Sequence, residues 1–318
     1  MKRLLTCFLL ISLCLCSGCS AFQPEDDVQI SYQEPCKFQT PVKNPVFPVH
    51  AFSHNLAVIP VSKKESGQNF ETAFVINETT SEVLYQYNPH ERLYPASITK
   101  IMTALLVLET CQLDDEVSLL SDVEIEDEQA VILGLKAGYT ITVKDLLYSM
   151  LLMSANDSAI VLGRYVAGGD QEFVEMMNQR AKELGATNTH FVNPNGLHSD
   201  EQYTTAYDLY LIFRELLKHD EFLEIQAASE YDVRYTTQED EVFYFPAITT
   251  NLFKTGDFDL PENFCYVGGK TGTTDEAGYC LILCTKNSKD EEIISCITKA
   301  SSRGSLYKEM KTLLSDNP

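Results

Sequence analysis

Ser97 and Lys100 are the first pair of residues in the chain that could act together chemically. They lie three positions apart, shortly after Pro95, at the predicted start of a helix. Positions i and i+3 share one face of a helix, so the lysine amine can reach the serine hydroxyl. Burial and a second cation both favour the neutral amine, which can deprotonate a hydroxyl. The spacing therefore predicts a nucleophilic serine with a lysine base, or, as the simpler alternative, a serine that caps a helix.

Ser154 and Asn156 form a second polar pair, in a short break between two apolar helical stretches. Because they lie two residues apart in a predicted loop, both side chains can project into the same cleft. The alternative is a cap for the helix that is predicted to begin near Ser158.

Lys270, Thr271, Gly272 and Thr273 form the third candidate, at the end of a predicted strand. A glycine-lysine-threonine run also occurs in phosphate-binding loops. Here the first glycine of that motif would fall on Phe264, and a strand rather than a helix follows. A cation, hydroxyl groups and a glycine at a strand edge suit a peptide that ends in a carboxylate and lies along the strand.

The elements that must position these residues follow an α+β pattern. The hydrophobic periodicity predicts strands at both ends of the chain and helices between them. The predicted strands are 73–76, 83–87, 242–245, 264–270, 278–285 and 293–298, and the predicted helices are 97–111, 143–153, 158–166, 171–184, 206–217 and 306–314. This order favours an antiparallel sheet built from N- and C-terminal strands, with a helical block inserted.

Residues 1–19 are typical of a lipoprotein-type signal peptide. Two basic residues precede an apolar run that is too short to span a bilayer as a mature helix. The run ends in a segment that resembles the bacterial lipobox and predicts lipidation of Cys19. Cys16 stands where that motif usually has leucine, so cleavage by another peptidase, for example after Ala21, is the alternative. The proline-punctuated residues 20–70 are predicted to be a tether, and residues 71–318 to be the catalytic domain.

The charge and the cysteine content exclude several functions. The net charge of −22 repels phosphate backbones, so nucleic acid is not an expected partner. Acidic residues are concentrated between Asp114 and Glu128. This concentration indicates a solvated surface, and a patch that binds a metal or a cationic partner is the alternative. Cys280 and Cys284 would lie about 13 Å apart on one strand, too far to pair with each other, and buried free thiols are favoured over disulfides. No zinc-binding spacing occurs, and neither a metal nor a cofactor is expected.

Taken together, the three motifs occur in the order that is the signature of the penicilloyl serine enzymes. The segments 94–104, 154–157, 191–197, 205–209 and 269–272 with 274–279 narrow the resemblance to the D-alanyl-D-alanine carboxypeptidases, the low-molecular-mass penicillin-binding proteins. The resemblance implies a β-lactamase/transpeptidase-like fold and removal of the terminal D-alanine from peptidoglycan stem peptides. It also implies covalent inhibition by β-lactams and a location at the outer face of the cytoplasmic membrane or in the cell wall, where a lipid on Cys19 would hold the protein.

The resemblance further implies roles for the catalytic residues. Ser97 would be the acylated nucleophile and Lys100 its general base. Ser154 would relay a proton to the departing amine. Asn156 would hydrogen-bond the substrate amide and help to hold Lys100.

A second set of implied roles concerns substrate binding. Lys270, Thr271 and Thr273, with Gly272 among them, would bind the terminal D-alanine carboxylate. The backbone N–H groups of Ser97 and Thr273 would stabilise the oxyanion. Two departures from the family pattern stand out: Thr273 occupies a position that is often aromatic or histidine, and the sequence after Gly272 is too short for the extra β-rich domain and C-terminal anchor of many relatives.

Two other functions share these motifs. A serine β-lactamase would need to activate a deacylating water, and the E-x-x-L-N segment that class A enzymes use for that step does not occur. A non-catalytic member would bind β-lactams or peptidoglycan without turnover, and the intact Ser97 and Lys100 argue against it.

Overall fold

The computed structural model describes residues 68–317. The predicted signal peptide, Cys19 and all but the end of the predicted tether lie outside the described residues. Phe70, assigned to the tether by the sequence, is buried and packs edge-on against Tyr87.

The described chain forms two antiparallel sheets and a set of helices. The strands are β1 (Thr72–Asn77), β2 (Glu82–Tyr87), β3 (Glu116–Ser118), β4 (Thr140–Thr142), β5 (Glu230–Thr236), β6 (Val242–Ile248), β7 (Cys265–Thr274), β8 (Gly278–Lys286) and β9 (Glu292–Ala300). The helices are α1 (Lys100–Thr110), α2 (Val143–Tyr148), α3 (Asn156–Ala167), α4 (Asp170–Glu183), α5 (Ala206–Leu216), α6 (Asp220–Ala227), α7 (Leu252–Thr255) and α8 (Arg303–Asp316).

The main sheet joins the two ends of the described chain in the order β2-β1-β9-β8-β7. Every neighbouring pair is antiparallel, and the register of β1 places Phe74 opposite Cys296. The sequence-based prediction of an α+β fold with an inserted helical block is therefore confirmed. β7, which carries the lysine-threonine-glycine run, is an edge strand of this sheet.

A smaller sheet with the order β3-β4-β5-β6 was not predicted beyond part of β6. β3 and β4 have three residues each, too few to show a period. β5 does carry a strand signal, because Tyr231, Val233 and Tyr235 alternate with charged residues. Helix α6, between the predicted helix 206–217 and this sheet, was also missed.

The main sheet has a hydrophobic core on each face. One core lies between the sheet and the helical block and includes Ile282 and Cys296. The other lies between the sheet and α8 and includes Leu281 and Leu283. Successive residues of β8 thus point into opposite cores, which explains why this strand reads as a continuous apolar run.

The thiols of Cys265, Cys280, Cys284 and Cys296 are free, and all but Cys265 are buried. Burial raises the pKa of the Cys280 thiol to about 12. For these residues the structure confirms the prediction of free thiols.

The acidic stretch between Asp114 and Glu128 is mostly exposed. Within the described residues no group of three or more histidine, cysteine or acidic side chains is arranged to hold a metal ion. Nor does the described part of the chain contain a helix of the length and apolarity needed to cross a membrane.

We expect Phe74→Ala to lower the free energy of unfolding by about 3–5 kcal/mol, because it removes a fully buried ring that joins the sheet to α5. The Phe74 ring centroid lies 5.6 Å from that of Tyr207 and 5.3 Å from that of Tyr210. Tyr244→Ala, at an exposed position of β6, is the control and should change stability by less than about 0.5 kcal/mol. Urea unfolding followed by circular dichroism measures both. Equal midpoints for the two variants would contradict this account of the core.

Candidate active site

Ser97 lies on a tight turn, not inside the helix that the sequence predicts from position 97. Residues Ala96–Thr99 form a 3₁₀ turn, and α1 begins only at Lys100. Ala96 has a φ of 47°, in the left-handed region that non-glycine residues rarely occupy. The side chains of Ile98 and Thr99 are fully buried and fix the turn against the core. The strained backbone presents the Ser97 side chain at the start of the helix, where α1 holds Lys100 beside it.

Lys100 is fully buried, and its amine has three acceptors. Its Nζ donates to Ser97 Oγ at 3.0 Å, to Asn156 Oδ1 at 2.9 Å and to the carbonyl oxygen of Asn195. Burial lowers the pKa of Lys100 well below its usual value, and the nearby Lys270 lowers it further, while the Asp157 carboxylate partly opposes this. The neutral amine has only two N–H donors. When Asn156 and the Asn195 carbonyl accept these, the lone pair faces the Ser97 hydroxyl and can take its proton.

Ser154 ends a π-helical turn, Ser149–Met153, that interrupts the helix predicted for 143–153. Its φ of 68° turns the chain sharply before α3 begins at Asn156. The Ser154 hydroxyl accepts a hydrogen bond from Lys270 Nζ at 3.0 Å. Ser154 thus contacts Lys270, while Asn156, two residues later, contacts Lys100. The left-handed conformation of Ser154 lets the two side chains reach different lysines.

Asp157 connects the start of α3 to the loop around 131–135, a role that the sequence analysis missed. Its buried carboxylate accepts hydrogen bonds from the backbone N–H groups of Leu133, Gly134 and Leu135. Asn156 also bonds this loop, because its Nδ2 donates to the carbonyl oxygen of Val131 at 3.0 Å. The loop around 131–135 therefore fixes the orientation of Asn156.

Lys270 is 1% exposed and lies on the face of β7 that is turned toward the helical block. Its Nζ donates to Ser154 Oγ and to the carbonyl oxygen of Thr271, each at 3.0 Å. Burial lowers the pKa of Lys270 to about 7. The site therefore contains two buried amines, and each has a reduced tendency to be charged.

The residues after Lys270 alternate along β7. The Thr271 hydroxyl, on the other face, bonds the Thr250 hydroxyl at 2.6 Å, and Thr273 is exposed. Gly272 faces the 3₁₀ turn that carries Ser97. A Cβ atom there would lie 3.0 Å from the backbone nitrogens of Ser97 and Ile98. The absence of a side chain at position 272 thus brings the strand edge against Ser97.

A loop around Gly196 completes the site; residues 191–197 contributed to the family resemblance, but no role was predicted for them. Gly196 has a φ of 85°, and a Cβ atom there would lie 1.9 Å from the carbonyl oxygen of Ala96. The Thr103 hydroxyl donates to the carbonyl oxygen of Pro194 at 2.6 Å, which ties the loop to α1. The close approach at Gly196 places the Asn195 carbonyl oxygen on the Lys100 amine.

The structure thus brings three sequence motifs to one site. The predicted site residues that it collects are Ser97, Lys100, Ser154, Asn156, Lys270, Thr271, Gly272 and Thr273. Cys19 lies outside the described residues. The chain after Lys270 continues as strand, which excludes the phosphate-binding loop as the sequence analysis expected.

Comparison with protein families and curated proteins gives a consistent result. A family model described as D-alanyl-D-alanine carboxypeptidase matches residues 61–302. D-alanyl-D-alanine carboxypeptidase DacF of Bacillus subtilis is 37% identical over 228 residues, which cover 70% of this chain and 55% of that protein. DacC of Escherichia coli is 31% identical over 249 residues, covering 76% of this chain and 59% of that protein. The chain therefore spans less than two thirds of the length of either relative.

Solved structures agree with the fold. Penicillin-binding protein D2 from Listeria monocytogenes, in its cefotaxime-bound form, is 30% identical with a TM-score of 0.66, and the match covers 80% of this chain and 99% of that one. The Streptomyces K15 DD-transpeptidase has a TM-score of 0.71 at 24% identity, with 81% of this chain and 99% of that one covered. The second comparison supports the fold alone.

We expect Lys270→Gln to move the acid limb of Ser97 reactivity to higher pH. Lys100 accepts a proton only above its own pKa, so reactivity falls as the pH drops through that value. Loss of the Lys270 charge removes a repulsion that lowers the Lys100 pKa. The Lys100 pKa therefore rises, and the acid limb moves to higher pH with it. The pH profile of Ser97 phosphonylation by an uncharged fluorophosphonate, with fluoride as the leaving group, measures the shift without needing a carboxylate on the reagent. Lys299→Gln, at an exposed position of β9, should leave the limb in place. An unmoved limb in Lys270→Gln would show that Lys270 does not influence the base.

Proposed function

The chain belongs to the D-alanyl-D-alanine carboxypeptidase family, and we propose that it removes the terminal D-alanine of peptidoglycan stem peptides through an acyl-enzyme on Ser97. The observation that carries this proposal is the buried Lys100 amine, 3.0 Å from Ser97 Oγ and beside an open strand edge with its own buried cation. The reaction requires a base whose pKa is lowered, a nucleophile and a strand that binds a carboxylate, and burial lowers the pKa of Lys100 well below its usual value.

Acylation would begin when Lys100 Nζ takes the Ser97 proton and Oγ attacks the carbonyl carbon of the penultimate D-alanine. Negative charge then develops on the carbonyl oxygen. The backbone N–H groups of Ser97 and Thr273 are the proposed donors to that oxygen, and the lack of a side chain at Gly272 lets the two segments approach each other. A preorganised donor of this kind contributes about 3 kcal/mol to the stability of the transition state.

Departure of D-alanine requires a proton on the leaving nitrogen. Ser154 is the proposed relay: its hydroxyl gives its proton to the leaving nitrogen and takes in its place the proton that Lys100 removed from Ser97, so that Lys100 is neutral again. The hydrogen bond from Lys270 Nζ holds the Ser154 hydroxyl in position. Lys100 would recover its role as base in the second half of the reaction, when it takes a proton from the water that attacks the acyl-enzyme.

Recognition of the terminal carboxylate would fall on β7. Thr271 is partly accessible and Thr273 is exposed, whereas Lys270 is 1% exposed. We therefore assign direct hydrogen bonds to the two threonine hydroxyls and a positive potential from beneath the strand to Lys270. Binding of a carboxylate stabilises the charged form of Lys270, whose pKa of about 7 leaves it only partly charged in the empty site.

The same site would bind β-lactams as covalent inhibitors. A β-lactam offers a reactive carbonyl and a carboxylate in a similar arrangement, and its leaving group stays attached after acylation. A peptide instead loses D-alanine, which makes room for water. The penicilloyl adduct should therefore persist while the peptide acyl-enzyme turns over.

We further propose that the protein is exported and held at the outer face of the cytoplasmic membrane or in the cell wall by a lipid on Cys19. The support is the sequence alone: a basic start, an apolar run and a lipobox-like end. The substrate also lies outside the cytoplasm.

We expect wild-type protein to release D-alanine from diacetyl-L-Lys-D-Ala-D-Ala and to bind benzylpenicillin close to one-to-one, with an adduct that lasts for minutes or longer. Ser97→Ala should lose both activities while it keeps its fold, because the serine is needed as nucleophile and is only partly buried. Mass spectrometry of the adduct and a D-alanine assay measure the two. Sustained penicillin hydrolysis without D-alanine release would make the protein a β-lactamase. Penicillin binding without any turnover would make it a non-catalytic member.

We expect Cys19→Ser to move the full-length protein from the membrane fraction to the soluble fraction of expressing cells. The reason is that a single thiol would carry the lipid, and a net charge of −22 gives no attraction to anionic lipid headgroups. Cys265→Ser, which removes an exposed thiol of β7, is the matched control and should stay at the membrane. A wild-type N-terminus at Phe22 without lipid would contradict the anchor.

A further inference from the structure

The edge of β7 offers backbone groups to a peptide only over part of its length. In an antiparallel pair, alternate residues turn both N–H and C=O away from the partner strand. The Gly269 N–H points away from β8, because it donates to a side chain of α6. The β7–β8 register is regular from Gly268 onward, so Thr271 and Thr273 share the outward orientation of Gly269.

Gln226 of α6 occupies the hydrogen-bonding position beside Gly269, the first of these three residues. Its Oε1 accepts from the Gly269 N–H at 3.0 Å and from the Tyr266 hydroxyl at 2.6 Å. The side chain is 3% exposed, and it lies directly over Gly268, where a Cβ atom would be 3.2 Å from Gln226 Cγ. Phe222, one turn earlier on α6, covers the same glycine. Exposure along β7 changes at this point, from buried Gly268 and Gly269 to accessible Thr271.

The orientation of the Gln226 amide follows from its contacts. Only an oxygen can accept from the Gly269 N–H, so Nε2 must point the other way. Within the described residues, Nε2 has no hydrogen-bond partner. A buried unpaired donor is destabilising. The fold tolerates it here, and the Oε1 contact with the strand edge is kept.

We infer that Gln226 ends the substrate-binding edge of β7 and is a specificity-determining residue that limits how far a peptide can extend beyond the scissile bond. This inference rests on the proposed function, which places the scissile carbonyl at the Thr273 N–H. An antiparallel peptide then sets its first residue past the scissile bond opposite Gly272 and its second opposite Thr271. The fourth would lie opposite Gly269, where Gln226 already occupies the hydrogen-bonding position.

The test compares two peptides, diacetyl-L-Lys-D-Ala-D-Ala and the same peptide extended by three glycines, on wild-type protein and on Gln226→Ala. The measured quantity is the ratio of kcat/KM for the extended peptide to that for the short one. Gln226→Ala frees the Gly269 N–H, and we expect the ratio to rise about tenfold, the equivalent of one added backbone hydrogen bond. Tyr266→Phe removes the other bond to the same amide but leaves Gly269 covered, and its ratio should equal that of wild type.

Acylation of Ser97 by benzylpenicillin shows that each variant is folded, because benzylpenicillin lacks the added residues that would lie opposite Gly269. If Gln226→Ala is not acylated, Gln226→Asn decides, because it shortens the side chain and withdraws the amide from Gly269. An unchanged ratio in the folded variant overturns the inference, and so does an equal rise in Tyr266→Phe. Failure of wild-type protein to release D-alanine from the short peptide would instead refute the proposed function.

Discussion

The buried amine of Lys100 is the constraint on which the rest of the site depends. An amine with no exposed surface is costly to keep charged, so its environment favours the neutral form and must still satisfy its hydrogen bonds. Three separate segments supply the hydrogen-bond partners, through Ser97, Asn156 and the Asn195 carbonyl. Each segment is held by its own device: a left-handed residue before Ser97, a sharp turn before Asn156, and a glycine after Asn195 that allows backbone contact.

The fold brings the second amine to the same place from the opposite end of the chain. β1 and β2 come early, β7 to β9 come late, and the sheet that joins them leaves β7 at its edge. Lys270 then reaches Ser154 across the cleft. Two buried cations at short range repel each other, so the charge on Lys270 helps to keep Lys100 neutral. One amine can thus act as a base while the other attracts a carboxylate.

Much of this arrangement could be predicted from the sequence, because strands buried on both faces and amphipathic helices leave a clear hydrophobic pattern. The pattern gave the main sheet and the helical block. It failed where tertiary contacts override local preference: the helix predicted from position 97 is a 3₁₀ turn as far as Thr99, and the helix predicted for 143–153 becomes a π-helical turn at Ser149. Asp157 was missed for a related reason. Its partners are backbone N–H groups of a loop more than twenty residues earlier, and no side-chain motif marks them.

The open edge of β7 carries a second constraint. An uncovered strand edge invites pairing with other chains, and proteins usually keep such edges short or covered. A peptide-binding enzyme cannot cover the whole edge, because the substrate has to pair with it. Here α6 covers Gly268 and Gly269, and the turn that carries Ser97 approaches Gly272, which leaves open little more than the stretch around Thr271 and Thr273. The exposed edge is therefore short, and in the proposed function the covering that protects the sheet also sets the length of the peptide that it binds.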